Sequence, residues 1–154
     1  MTTTARAAQF AAHIAHNVTG TLSDPSITFD VRDDGMDEAY ATYSRAEVDA
    51  TLRVVVERHD DGTTTVGYFV AIIDRTEDHD VVLDQYAGDA TDAASLLALA
   101  VAMVRRPNGM TAWFTLREVD VTAAPLTVAR DFARIGRRTI LDILAAFDPE
   151  PATV

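Results

Sequence analysis

Hydrophobic side chains recur at spacings of three and four near the start of the chain, a pattern typical of an amphipathic helix. The residues on this face are Ala7, Phe10, Ala11, Ile14 and Val18. Polar residues occupy the opposite face, so we predict an N-terminal helix over residues 4–18. Gly20 is the expected end of this helix.

Alternation of apolar and polar residues follows, and it predicts strands. Residues 26–32 form the first predicted strand. Residues 50–59 and 64–74 flank the Asp-Asp-Gly sequence of residues 60–62, and Asp-Gly between two such runs is a strong hairpin signal. A further strand is expected over residues 81–86.

The return strand of this hairpin, residues 64–74, is apolar on both sides. One side carries Val66, Tyr68, Val70 and Ile72, and the other carries Phe69, Ala71 and Ile73. A strand that is apolar on both faces needs cover on both faces. We therefore predict that it is central in an antiparallel meander with residues 50–59 and 81–86.

Residues 36–48 admit two interpretations. Met36, Tyr40 and Tyr43 fit one face of a helix, whereas the stretch from Tyr40 to Tyr43 also fits a strand. We favour a short helix or an irregular linker for this segment.

Three elements are predicted after Gly88. Acidic residues at the start of a helix interact favourably with its positive end, so Asp89 and Asp92 introduce a helix that runs to about Arg106. Residues 110–121 alternate as a strand. A long helix is expected over residues 126–147.

This order of elements predicts an α+β fold, with an antiparallel or mixed sheet of about five strands. N-terminal, central and long C-terminal helices pack on the sheet. No repeat or linker divides the 154 residues, which suffice for one buried core. We predict a single domain over residues 1–148 and a flexible tail over 149–154.

The charge of the chain restricts its possible partners. Acidic residues number 24 and basic residues 13, giving a formal net charge of −11, and every basic residue is Arg. The codon usage of a GC-rich genome and the acidic surface of a salt-adapted proteome both explain this pattern, in a prokaryote or its virus. In either case the charge argues against binding to nucleic acid or to anionic membranes.

Missing residue types and motifs exclude several kinds of chemistry. Without cysteine there are no disulfides, thiolate nucleophiles or zinc–sulfur sites. Without lysine there is no Schiff base and no Walker lysine. Glycine-rich phosphate loops and the G-x-S-x-G motif are also absent. We expect no cofactor, no signal peptide and no membrane span, and hence a cytoplasmic protein or a component of a particle assembled in the cytoplasm.

The candidate partner-binding residues lie on the polar side of the last predicted helix. They are Arg130, Arg134, Arg137, Arg138 and Leu141. We interpret them as an electropositive strip that docks an acidic protein or a second copy of the chain, because Arg binds carboxylates bidentately. The acidic clusters within residues 30–38 and 74–80 offer such carboxylates. An ordinary solvated helix face is the alternative interpretation.

Histidines supply the remaining candidate chemistry. His13 and His16 are three residues apart on a helix, but no further ligand completes a metal site, so we expect no bound metal. His59 and His79 lie in polar turns beside Asp residues that would orient a general base.

By elimination, the sequence favours a non-catalytic protein–protein interaction or assembly protein, chaperone-like or a subunit of a complex or virion. Its partner is expected to be another protein or a second copy of itself. Two alternatives stay open: an acidic decoy or inhibitor of a nucleic-acid-processing enzyme, and a small hydrolase or metal-dependent enzyme that uses His59 or His79.

Overall fold

The computed structural model describes residues 5–22, 24–33, 35, 37–45, 47–75, 81–105 and 129. The helices in this part of the chain are α1 (Ala5–Leu22) and α2 (Ala90–Val104). The strands are β1 (Asp30–Asp33), β2 (Glu38–Arg45), β3 (Val48–Arg58), β4 (Thr64–Asp74) and β5 (Val81–Gly88).

The five strands form one sheet in the order β1-β2-β3-β4-β5, and every neighbouring pair is antiparallel. The prediction of an α+β fold with an antiparallel sheet is confirmed, and the described sheet has five strands. The expected β3–β4 hairpin is present, and Gly62 in its turn has a φ of 86°. As predicted, β4 is an internal strand, hydrogen-bonded to β3 on one side and to β5 on the other.

The preference for a helix or linker over residues 36–48 is wrong, because β2 occupies most of this segment. Ala39 and Ala41 are buried while Tyr40 and Thr42 point to the other face, which is the two-residue period of a strand. Pairing with both β1 and β3 stabilises this strand. The local sequence does not reveal that pairing.

Two predicted boundaries also change. Helix α1 continues past Gly20, because Leu22 extends the buried face of Val18 by one turn. The strand predicted over residues 26–32 forms only from Asp30, although Ile27 before it is buried. The predicted strand 110–121, the predicted helix 126–147 and the tail 149–154 lie outside the described residues, except for Ala129.

Both helices pack on the same face of the sheet. Helix α1 contacts β1, β2 and β3, and α2 contacts β3, β4 and β5 as well as α1. The largest fully buried side chains lie between these layers: Val18, Leu52, Ile72, Leu96, Leu97, Leu99 and Met103. The hydrophobic core is therefore on the helix side of the sheet.

Helix α2 is buried on nearly all sides. Every residue from Ser95 to Val101 is buried, although only one side of the helix faces the sheet. A helix that is apolar all round requires cover all round. Ala129 is fully buried and belongs to the same apolar cluster, so this residue lies on the helix side of the sheet.

Polar contacts determine how α2 begins and ends. Asp89 is its N-cap, and the carboxylate accepts a hydrogen bond of 2.8 Å from the backbone nitrogen of Asp92. At the other end, Arg105 forms an ion pair of 2.8 Å with Asp24, in the segment between α1 and β1. Within the described residues, neither helix has the length and apolar character needed to cross a membrane.

Candidate functional site

The sheet face opposite the helices is covered by neither α1 nor α2, and we call it the open face. The register places on it Tyr40 and Thr42 of β2, Thr51, Arg53 and Val55 of β3, Phe69, Ala71 and Ile73 of β4, and Val82 and Gln85 of β5. These residues alternate along each strand with the buried residues of the core.

The half of the open face formed by β4 and β5 is mainly apolar, although the exposed Gln85 lies opposite Ala71. Phe69, Ala71 and Ile73 line it along β4 and are each only half-buried. Val82 is directly opposite Ile73 on β5 and is 52% exposed. Among the described residues, β4 is therefore covered only on its helix side, although we predicted cover on both faces.

The half nearer β2 is held by a polar network around Glu38. Arg53 donates from Nε to Oε1 of Glu38 at 2.6 Å, and the Tyr40 hydroxyl donates to the same oxygen at 2.8 Å. These two hydrogen bonds, with Arg53 the larger cause, hold the pKa of Glu38 below its ordinary value. The same carboxylate raises the pKa of Arg53. The network fixes the guanidinium in its charged form at the centre of the face.

Arg53 also connects the two halves. Its guanidinium carbon lies 5.4 Å from the centroid of the Phe69 ring, which is its cross-strand neighbour. The ring in turn lies over Gly67, since a Cβ at that position would stand 3.2 Å from the ring. Glycine at position 67 therefore leaves room for the Phe69 ring.

Ion pairs surround this surface and nearly balance its charge. Asp49 is buried and accepts a hydrogen bond of 2.8 Å from Nε of Arg75, at the end of the pair where β3 begins and β4 ends. At the β1 edge, Arg32 and Asp30 form an exposed ion pair of 2.8 Å. Each of these two carboxylates is thus paired with an arginine, in contrast to the acidic character of the whole chain.

The structure does not place the residues predicted to bind a partner. Arg130, Arg134, Arg137, Arg138 and Leu141 lie outside the described residues, and so does His79. The electropositive strip therefore stays a prediction.

The described histidines lie on the surface. His59 is exposed in the β3–β4 turn, where its Nε2 contacts the hydroxyl of Thr65. His13 and His16 are exposed on α1, and His13 contacts the Asn17 side chain at 3.4 Å. Among the described residues, no group of three or more acidic or histidine side chains is arranged to hold a metal ion.

The open face was not identified from the sequence as a binding site. The available signal was the apolar character of β4 on both sides, from which we predicted only a central strand with cover on both faces. The role of Arg53 was not visible, because Glu38 is fifteen residues away and meets it only through the β2–β3 register.

Comparison of the chain with family models, with curated proteins and with solved structures found no match.

Proposed function

We propose that this chain is a non-catalytic protein-interaction or assembly protein that binds a protein partner on its open face. It acts as a chaperone-like protein or as a subunit of a complex or virion, in the cytoplasm or in a particle assembled there. The observation that carries the proposal is the contiguous apolar half of the face, with Val82 52% exposed beside Ile73.

An antiparallel sheet with one solvated face normally carries polar residues on that face. Here the outward positions of β4 are Gly67, Phe69, Ala71 and Ile73 instead. Burial of apolar surface contributes about 25 cal/mol per Å², so a partner that covers these side chains gains affinity from them. Phe69 and Arg53 are also of the residue types that dominate binding energy at interfaces.

The predicted electropositive strip is proposed as a second contact of the same function. Residues 1–105 contain 18 of the 24 acidic residues and 7 of the 13 Arg, and so carry the whole net charge of −11. Residues 126–141 contain four Arg and one acidic residue. This difference in charge favours contact between the strip and an acidic protein surface.

Two observations favour a binding protein over the alternatives. A decoy of nucleic acid would need a row of carboxylates spaced like phosphates, but Asp30, Glu38 and Asp49 on the open face are each paired with Arg. A hydrolase would need its base in a cleft, but His59 is exposed in a turn and contacts a threonine.

The test uses two matched substitutions on the edge strands of the described sheet. Val82→Glu places a charge in the apolar half of the open face. Val31→Glu places the same charge on β1, where Val31 is 36% exposed and pairs with Ala41 of the helix-covered face. Co-purification from source cells should lose its protein partner with Val82→Glu and keep it with Val31→Glu. Equal capture by both variants would contradict the proposal.

A further inference from the structure

We infer that the occupant of the open face is a second copy of this chain, packed sheet against sheet about a twofold axis near Ala71. This inference rests on the proposed function, because it identifies the partner of the same surface. It is supported by the side of the sheet on which the described apolar residues pack. The charge, the size and the shape of the open face also support it.

The first step concerns what the chain itself supplies. Both described helices pack on the opposite side of the sheet, and α2 is buried on nearly all sides there. Ala129 is fully buried in the same cluster. The described residue that follows α2 thus also belongs to the core on the helix side, and neither described helix covers the apolar half of the open face.

The second step concerns charge. A copy of a chain with a net charge of −11 is repelled by most surfaces of its partner. The open face is different, because Arg53 is paired with Glu38 and Arg75 with Asp49. Two acidic copies meet with least repulsion where arginines balance the carboxylates. A basic partner would be attracted more strongly to the acidic surfaces elsewhere on the molecule than to this balanced face.

The third step concerns size. Strands are about 4.8 Å apart and rise about 3.3 Å per residue, so five strands of four to eleven residues present a face of roughly 700 Å². A standard interface buries about 800 Å² on each partner. The open face is close to the size that a stable dimer requires, whereas its apolar half alone is smaller.

The fourth step concerns shape. Ala71 is a small residue at the middle of the apolar half, between Phe69 and Ile73 on β4. A twofold axis near Ala71 brings Phe69 of each copy towards Ile73 and Val82 of the other, as an isologous contact requires. Two sheets pack face to face at a distance of about 10 Å, which side chains of this size fill.

Sedimentation equilibrium on the purified full-length chain tests the inference. We expect twice the mass of one chain, and we expect Val31→Glu to behave identically. Val82→Glu buries a carboxylate from each copy and should weaken the dimer roughly 100-fold or more. Added salt screens the repulsion between two acidic copies, so the dimer should be tighter at 1 M than at 0.1 M NaCl.

The absence of cysteine allows a direct test of geometry. A single cysteine introduced as Ala71→Cys should be crosslinked between copies by a short bismaleimide, because both thiols would project into the gap of about 10 Å between the packed sheets. Gln9→Cys, exposed on α1, is the matched control and should give no crosslinked dimer. Crosslinking through Gln9→Cys but not through Ala71→Cys would overturn the proposed geometry.

The two proposals fail in different ways. A purified chain that stays monomeric at all protein and salt concentrations overturns the second-copy inference. If Val82→Glu then still removes a captured protein partner, the open face binds a different protein and the proposed function stands. If neither the mass nor the capture responds to Val82→Glu, both proposals are wrong.

Discussion

The guanidinium carbon of Arg53 lies 5.4 Å from the centroid of the Phe69 ring, directly across the β3–β4 pair. Glu38 holds this guanidinium in place, because Nε of Arg53 donates to it at 2.6 Å. A cation over an aromatic face at this distance contributes about 0.5–1 kcal/mol where it is partly exposed to solvent.

We predict a favourable coupling of this size in a double-mutant cycle of Arg53→Met and Phe69→Leu, measured by urea unfolding. A second cycle of Phe69→Leu with Glu38→Gln reports how much of the coupling depends on the position of the guanidinium. Additive effects of Arg53→Met and Phe69→Leu, within about 0.3 kcal/mol, would contradict the interaction.

Replacement by alanine at two glycines should change the free energy of unfolding in opposite directions. Gly20 lies within α1 and is exposed, with no atom within 4 Å of an added Cβ, so Gly20→Ala should stabilise the protein by about 0.5 kcal/mol. Gly62 has a φ of 86° in the hairpin turn, so Gly62→Ala should destabilise it by about 1 kcal/mol. Thermal unfolding of the two variants gives both signs. A stabilising Gly62→Ala would mean that the turn is not held in this conformation.

The β3–β4 hairpin illustrates what the sequence made predictable. Its turn contains an Asp-Gly pair that fixes the loop locally, and alternation on both sides fixes the strands. The segment that forms β2 carries no such signal. Its alanines are compatible with helix or strand, and it forms a strand because β1 and β3 pair with its two edges. That information is non-local, so propensity alone gave the wrong element.

The open face shows a different limit. The apolar residues on both sides of β4 correctly predicted an internal strand, but among the described residues only its helix side is covered. Sequence periodicity does not reveal which molecule supplies the second cover. It also does not bring Arg53 together with Glu38, since their contact depends on the register between β2 and β3.

The ion pair between Asp24 and Arg105 should make stability depend on pH. Hydrogen bonds from Ser26, followed by Arg105, lower the pKa of Asp24 from 3.8 to about 2. A lowered pKa in the folded state gives stability that is complete above the ordinary value and is lost as the pH falls through about 2.

Replacing Asp24 by Asn should therefore lower the urea midpoint at pH 5, and the difference from the parent should disappear near pH 2. A difference between parent and Asp24→Asn that is the same at both pH values would assign the effect to packing rather than to charge.

The last prediction concerns the electropositive strip, whose residues lie outside the described structure. Reversing Arg134 and Arg138 to Glu should leave the fold intact, because both are predicted on the polar side of their helix. It should weaken a contact between the strip and an acidic protein surface, since each reversal turns attraction into repulsion.

The salt dependence distinguishes this contact from the open-face dimer. Attraction between opposite charges becomes weaker as salt rises, whereas association of two acidic copies through the open face becomes stronger. The measurement is therefore best made in the Val82→Glu background, by following the association rate with an acidic partner at 0.1 M and 1 M NaCl. A rate that does not depend on salt, or that is the same after both reversals, would leave the strip as an ordinary solvated helix face.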